Sequence, residues 1–178
     1  MSPSAEPSPA PAAAAVRLVD VSEPVLEQLL TVAIQDADPD EVTPPQGSAS
    51  GWNSERISWF REYHHAAAGL DGPAQQKSWA ISSDGELAGS IRLKRTGADS
   101  LETGLWLGRS FRGHGIAREA LRLVIERAAE SGAAVLEADT TAGNAAALVL
   151  LRSAGAEFEQ GEASDAAAVP VKARIPLR

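Results

Sequence analysis

Gly104-Leu105-Trp106-Leu107-Gly108-Arg109-Ser110-Phe111-Arg112-Gly113-His114-Gly115-Ile116-Ala117 is the stretch on which the reading of this chain turns. Its apolar beginning reads as a buried strand. A short connector follows, and the glycines at 113 and 115 precede a long amphipathic pattern from Ile116 to about Ser131. In that pattern Ala117, Ala120, Leu121, Val124 and Ala128 recur at helical spacing, and Gly132 ends it. Glycine lets a backbone come close to a ligand. The first turn of a helix carries N–H groups without intrahelical acceptors, and the peptide dipoles there favour negative charge. A strand running into such a turn is a candidate site for a phosphate or diphosphate.

The rest of the chain sets the context for that turn. Its 178 residues, 44% hydrophobic and 22% charged, suit one soluble domain with a proper core. The net charge of −8 argues against an electrostatic grip on nucleic acid or an anionic membrane, and suits a cationic or neutral substrate. The absence of cysteine removes disulfides, thiolate-bound zinc and thiol catalysis. With three histidines, two of them adjacent (His64, His65), no metal site is expected. No apolar run is long enough to span a bilayer. Residues 1–15 are rich in Ser, Pro and Ala and lack a basic start and an apolar core, which predicts a flexible tail rather than a signal peptide. Residues 16–178 are then a single domain, and a cytoplasmic location is the expectation.

Outward from the central stretch, Val16–Val21 alternates as a strand. Ser22 caps a helix that buries Val25, Leu26, Leu29, Leu30 and Ala33. From Asp36 to Gly51 the chain is acidic and turn-rich, a surface loop of the length that often lines a substrate site. Asn53 or Ser54 caps a second helix reaching about Ala68, with Ile57, Trp59, Phe60 and Tyr63 read as a core face and His64 and His65 as solvent-facing. Ser78–Ser82 and Glu86–Lys94 form a hairpin around Ser83-Asp84-Gly85, and Leu101–Leu107 is the next strand. After the long helix, Ala134–Thr140 pairs parallel with that strand by its β-α-β order. A short helix over Asn144–Ser153 stops at Gly155, and two strands, Ala156–Glu159 and Val169–Ile175, close the chain around a loose polar-alanine loop. The order predicts an α/β (α+β) domain, a mixed sheet with helices on both faces.

At this point the motifs and the element order converge. Arg112-x-x-Gly115-x-Ala117 resembles the Arg/Gln-x-x-Gly-x-Gly/Ala signature of the GNAT superfamily of N-acetyltransferases, and it stands where that signature belongs, after a strand and opening the central helix. Asn144-x-x-Ala147, Leu150-Leu151 and Gly155 resemble the superfamily's Asn-x-x-Ala/Ser…Gly-Phe segment, with Ala156 in place of the phenylalanine. The pieces Asp84–Ile91, Glu102–Leu107 and Arg112–Leu121 look most like the branch of the ribosomal-protein alanine N-acetyltransferases (RimJ/RimL-like).

The resemblance implies the GNAT fold, a mixed, mostly antiparallel seven-stranded sheet around a central β-α-β unit. It implies acetyl-CoA as acyl donor and direct attack by a primary amine, either a small amine or an N-terminal peptide amine. A homodimer follows by analogy only. By position, the backbone of Leu105, Trp106 and Leu107 would meet the pantetheine arm, with the Leu107 N–H polarising the thioester carbonyl. Arg112, Gly113, His114, Gly115, Ile116 and Ala117 would hold the diphosphate, and Asn144 would meet the cofactor near its thiol end. Glu102 is the candidate base or amine anchor, with Glu137 and Asp139 behind it. Asp36 and Glu41 of the acidic loop, together with Trp52, are candidates for the acceptor pocket. Leu151 stands where many members carry a proton-donating tyrosine, and Ala147 where the branch often has serine. A second reading therefore stays open, a non-catalytic acyl-CoA-binding regulatory module.

Overall fold

The computed structural model describes residues 15–46, 50–161 and 168–177. The expected N-terminal tail and polar-alanine loop fall almost wholly outside the described residues. In chain order the elements are β1 (Val16–Asp20), α1 (Glu23–Asp36), α2 (Pro39–Val42), α3 (Ser54–Ala66), β2 (Ala68–Gly69), β3 (Gln76–Ser83), β4 (Glu86–Arg95) and β5 (Ser100–Leu107). After a single 3-10 turn at Arg109–Phe111 come α4 (Ile116–Glu130), β6 (Val135–Thr141), α5 (Ala145–Ser153), β7 (Glu157–Gln160) and β8 (Pro170–Pro176).

Local chemistry accounts for most boundaries. The Ser22 hydroxyl accepts the Val25 N–H at the start of α1, whose Leu26, Leu29, Leu30 and Ala33 are buried. The β3–β4 hairpin turns on Asp84 and Gly85 at φ 49° and 85°, the pair of left-handed residues that a tight two-residue turn needs. In the acidic stretch, read from sequence as loop alone, Asp38 caps α2 by accepting the Asp40 N–H at 2.9 Å, with Pro39 in its first turn.

The strands form one sheet in the order β1-β3-β4-β5-β6-β8-β7, with the two-residue β2 added beside β3. All neighbours are antiparallel except β5 and β6. On one face α4 and Leu151 of α5 pack against Ile81, Ile91, Leu93, Leu101 and Leu136. On the other, α1 and Phe60 of α3 close over Ala80. This is the mixed sheet with a β-α-β centre and two helical layers that the sequence predicts.

Candidate active site

The parallel pairing of β5 with β6 is short. It runs from Ser100↔Val135 through Leu101↔Leu136 to Glu102↔Glu137 and stops there. From Thr103 to Leu107, β5 pairs only with β4, while β6 from Ala138 onward pairs only with β8. A wedge therefore opens in the sheet with Glu102 at its apex. The Gly108 N–H donates to Ala88 O at 2.8 Å on β4, and a Cβ on Gly89 would come within 2.0 Å of Trp106 O. The backbone groups of Trp106 and Gly108 thus face β4, and strand alternation turns those of Leu105 and Leu107 into the wedge. Leu107 O there accepts the Arg112 guanidinium at 3.2 Å.

The wedge leads to the glycine turn. Gly113 and Gly115 have φ 78° and 77°, and Gly115 is the N-cap of α4, which has no side-chain cap. A Cβ at either glycine would meet nothing within 4 Å, so the turn is open to an incoming group rather than packed against its own side chains. An uncapped helix N-terminus behind two left-handed glycines fits a diphosphate. At the matching end of β6, Asn144 caps α5 by accepting the Ala147 N–H at 3.1 Å, which commits its side-chain oxygen.

On the α1/α3 face lies a cavity of about 520 Å³, between α2, α3 and the strands β3 to β5. Its floor follows from sheet register, because Ser90↔Trp106, Arg92↔Gly104 and Lys94↔Glu102 are cross-strand partners whose side chains share one face. Arg92 donates to Glu102 at 2.8 Å, and both are partly buried. The Arg92 guanidinium passes over Gly104, where a Cβ would lie only 3.1 Å from it. Glu102 therefore stands both at the wedge apex and in the cavity floor.

The walls depart from the sequence expectation. Phe60 is core and reaches the cavity only from beneath its lining, whereas Trp59 and Tyr63 are half-buried and line it with their rings stacked, centroids 5.1 Å apart. The Tyr63 hydroxyl is buried without a hydrogen-bond partner, and burial raises its pKa. His64, expected in solvent, is 7% exposed, lines the cavity, and shares a hydrogen bond of 2.8 Å with the buried Ser78 hydroxyl through Nδ1. Burial, aided by the nearby His65, pushes the His64 pKa down to about 4, so the ring is neutral at physiological pH. His65 is exposed and pairs with Glu23.

Of the residues expected at the acceptor pocket, Glu41 lines the cavity and Asp36 and Trp52 do not. The Asp36 carboxylate instead accepts the Ser110 hydroxyl and N–H, and these bonds, the hydroxyl foremost, hold its pKa below the usual range. Trp52 donates its indole N–H to Ala37 O at 3.1 Å and packs edge-on to Phe60. Glu137 and Asp139 both lie by the Lys172 ammonium, at 3.4 and 3.7 Å. Leu151 is buried in the α4-side core and offers no proton. Among the described residues no cluster of side chains could hold a metal ion, and no helix is long and apolar enough to cross a membrane.

Comparison with known proteins bears on this geometry. The family model for the acetyltransferase (GNAT) domain matches residues 25–157. No curated protein matches the sequence significantly. Among solved structures, the chain is similar to RimL, a ribosomal L7/L12 alpha-N-protein acetyltransferase in complex with coenzyme A (19% identity over 90% of this chain and 93% of that one, TM-score 0.68). It is similar to Mycobacterium smegmatis RimJ in complex with CoA-disulfide (20% identity, 90% and 81% covered, TM-score 0.67). YncA from Salmonella typhimurium, a putative acetyltransferase with acetyl-CoA, follows at 15% identity, 94% and 95% covered, TM-score 0.63. At such identities the likeness is one of fold, and the family match carries the assignment: the chain belongs to the GNAT acetyltransferase family.

Proposed function

We propose that this protein transfers an acetyl group from acetyl-CoA to a primary amine, a small amine or a peptide N-terminus, in a ternary complex. The observation that carries the reading is the wedge between β5 and β6 running into an open, uncapped glycine turn. Arg112 and the amides from Gly113 to Ala117 would hold the diphosphate, with His114 and Ile116 contributing through their backbone. The strand edge from Leu105 through Trp106 to Leu107 would lie along the pantetheine arm. Asn144, its oxygen committed to α5, keeps its NH₂ group to donate near the thiol end.

Acetyl-CoA supplies an activated thioester. The Leu107 N–H polarises the thioester carbonyl and needs no side chain to do so. The amine nitrogen bonds the acetyl carbon, the C–S bond breaks, and the proton leaving nitrogen passes to Glu102, five residues back along the strand, through a chain of water molecules. Arg92 takes one Glu102 oxygen and leaves the other for that proton. For an α-amine of pKa near 7.8, presenting the neutral nucleophile at pH 7.4 costs about 0.5 kcal/mol; for a lysine amine it costs about 4 kcal/mol. A lone ion-paired carboxylate suits the first far better. The thiolate, with a thiol pKa of about 8.5, leaves without a side-chain acid, which accommodates the buried Leu151.

Leu151 is also the observation that favours the second reading, an acyl-CoA-binding regulatory module without turnover. Thiol release from acetyl-CoA against a panel of small amines and short peptides separates the two. The account expects turnover, and it expects Glu102→Gln to lower it about 100-fold while coenzyme A affinity stays within a factor of about two. Tight binding with no turnover on any amine supports the regulatory module, and undiminished turnover in the variant removes Glu102 from the base role.

A further inference from the structure

The segment that closes the cavity is fastened to the connector that leads into the glycine turn. Asp36, at the end of α1, holds the N–H and hydroxyl of Ser110. The Arg109 guanidinium lies 3.9 Å from Asp38. Glu41, on α2, pairs with Arg112, the first residue of the turn motif. From Asp40 to Pro44 the same segment forms one wall of the cavity. The segment is also held by the buried Arg56, whose guanidinium donates to Asp40 at 2.7 Å and to the Thr43 hydroxyl at 3.4 Å. Asp40 and Glu102 are likewise paired with cations, so every carboxylate lining the cavity is in an ion pair.

These pairs differ in what a diphosphate would do to them. Neither Arg56–Asp40 nor Arg92–Glu102 includes a residue of the turn. Arg112 begins it, and its guanidinium is about half exposed, as is Glu41. A diphosphate carries more negative charge than one carboxylate and offers more acceptor oxygens, so it outcompetes Glu41 for the same guanidinium. The freed carboxylate already belongs to the cavity wall, where it is an acceptor for an ammonium group.

We infer that Glu41 is an internal competitor of the acyl donor for Arg112, and that donor binding releases it into the cavity as an anchor for the cationic acceptor. This rests on the acetyltransferase reading above. Linkage then requires that donor and acceptor raise each other's affinity by one factor, because one carboxylate serves both equilibria. Glu41 acts through Arg112 before donor binding and touches the acceptor after it.

The inference fixes the sign of a simple measurement. Titration calorimetry with coenzyme A, on the full chain at low salt, compares wild type with Glu41→Gln. Removing a competitor tightens coenzyme A binding by about two- to five-fold, the scale of an exposed ion pair. If Glu41 merely props Arg112 in place, the same variant binds coenzyme A more weakly. Amide hydrogen exchange supplies the second reading: coenzyme A accelerates exchange at residues 40–43 in wild type, and in Glu41→Gln exchange there is already fast and unresponsive. Unchanged or weakened affinity in the variant, or slower exchange of that segment on binding, overturns the inference. Absence of coenzyme A binding by the wild type instead overturns the reading on which it rests.

Discussion

His64 shows what a single residue contributes here. Its imidazole sits against Phe60 with centroids 4.6 Å apart, and its Nδ1 is engaged by Ser78. Because its folded pKa is near 4 against 6.5 for a free imidazole, the unfolded chain takes up a proton at a pH where the native ring does not. Stability contributed by the neutral ring is complete above about pH 6.5, falls as pH drops toward 4, and levels off below. The loss by pH 5 is on the order of 2 kcal/mol. Denaturant unfolding at pH 7.5 and pH 5 should therefore show a drop in wild type that His64→Gln largely lacks; parallel drops in the two proteins contradict it. The burial of His64 was present in the sequence as spacing. Arg56, Phe60 and His64 recur every four residues and all three are buried. Two of the three are polar, so a reading by hydrophobicity selects Ile57, Trp59, Phe60 and Tyr63; Ile57 and Phe60 do pack in the core, but Trp59 and Tyr63 line the cavity and the buried Arg56 and His64 are missed. What made the polar pair buriable is tertiary: Asp40 and Thr43 for Arg56, Ser78 for His64.

At the scale of elements, the wedge depends on how β4 delivers β5. Register shifts between Ile81 and Ser82, which pair with Gly89 and Leu87, so Ala88 is an extra residue that bulges β4 beside the end of β5. Ala88 O then takes the Gly108 N–H, and Gly89 lets Trp106 O pass. A side chain at Gly89 meets backbone that cannot give way. Gly89→Ala is expected to destabilise the protein by about 1–3 kcal/mol in chemical denaturation and to weaken coenzyme A binding, through displacement of Leu105 and Leu107. Wild-type stability and affinity in that variant contradict this account of β5. Strands, hairpin and α4 were legible because their periodicity and turn residues are strong local signals. The bulge was not, since Ala88-Gly89 carries no local mark of the carbonyl that crosses it. The helix α2 announced itself only by Asp38 and Pro39, a cap and a first-turn proline hidden in a run of acids and turn formers.

Over the whole molecule, the two halves of the candidate site come from opposite treatments of one sheet. The α4 side is closed by aliphatic packing, and the same helix presents its bare N-terminus beside the wedge. The α1/α3 side leaves a cavity walled by a short, charge-pinned helix and two stacked aromatics. The proposed donor half could be read from the sequence because its chemistry is backbone chemistry, written in glycines and in strand order. The acceptor half is assembled from side chains far apart in sequence, such as Glu41, Tyr63, Arg92 and Glu102, and no local pattern joins them. The protein's net charge of −8 gives no general attraction for a polyanion, so the proposed donor binding rests on the turn itself. The most direct test is calorimetric titration with coenzyme A and, separately, with pantetheine, which lacks the diphosphate and the phosphorylated adenosine beyond it, and with 3′-phosphoadenosine alone as the control for that part. The account predicts one-to-one binding of coenzyme A, at least about tenfold tighter than pantetheine, a gap of about 1.4 kcal/mol. No heat with coenzyme A, or equal affinity for the two, would contradict it.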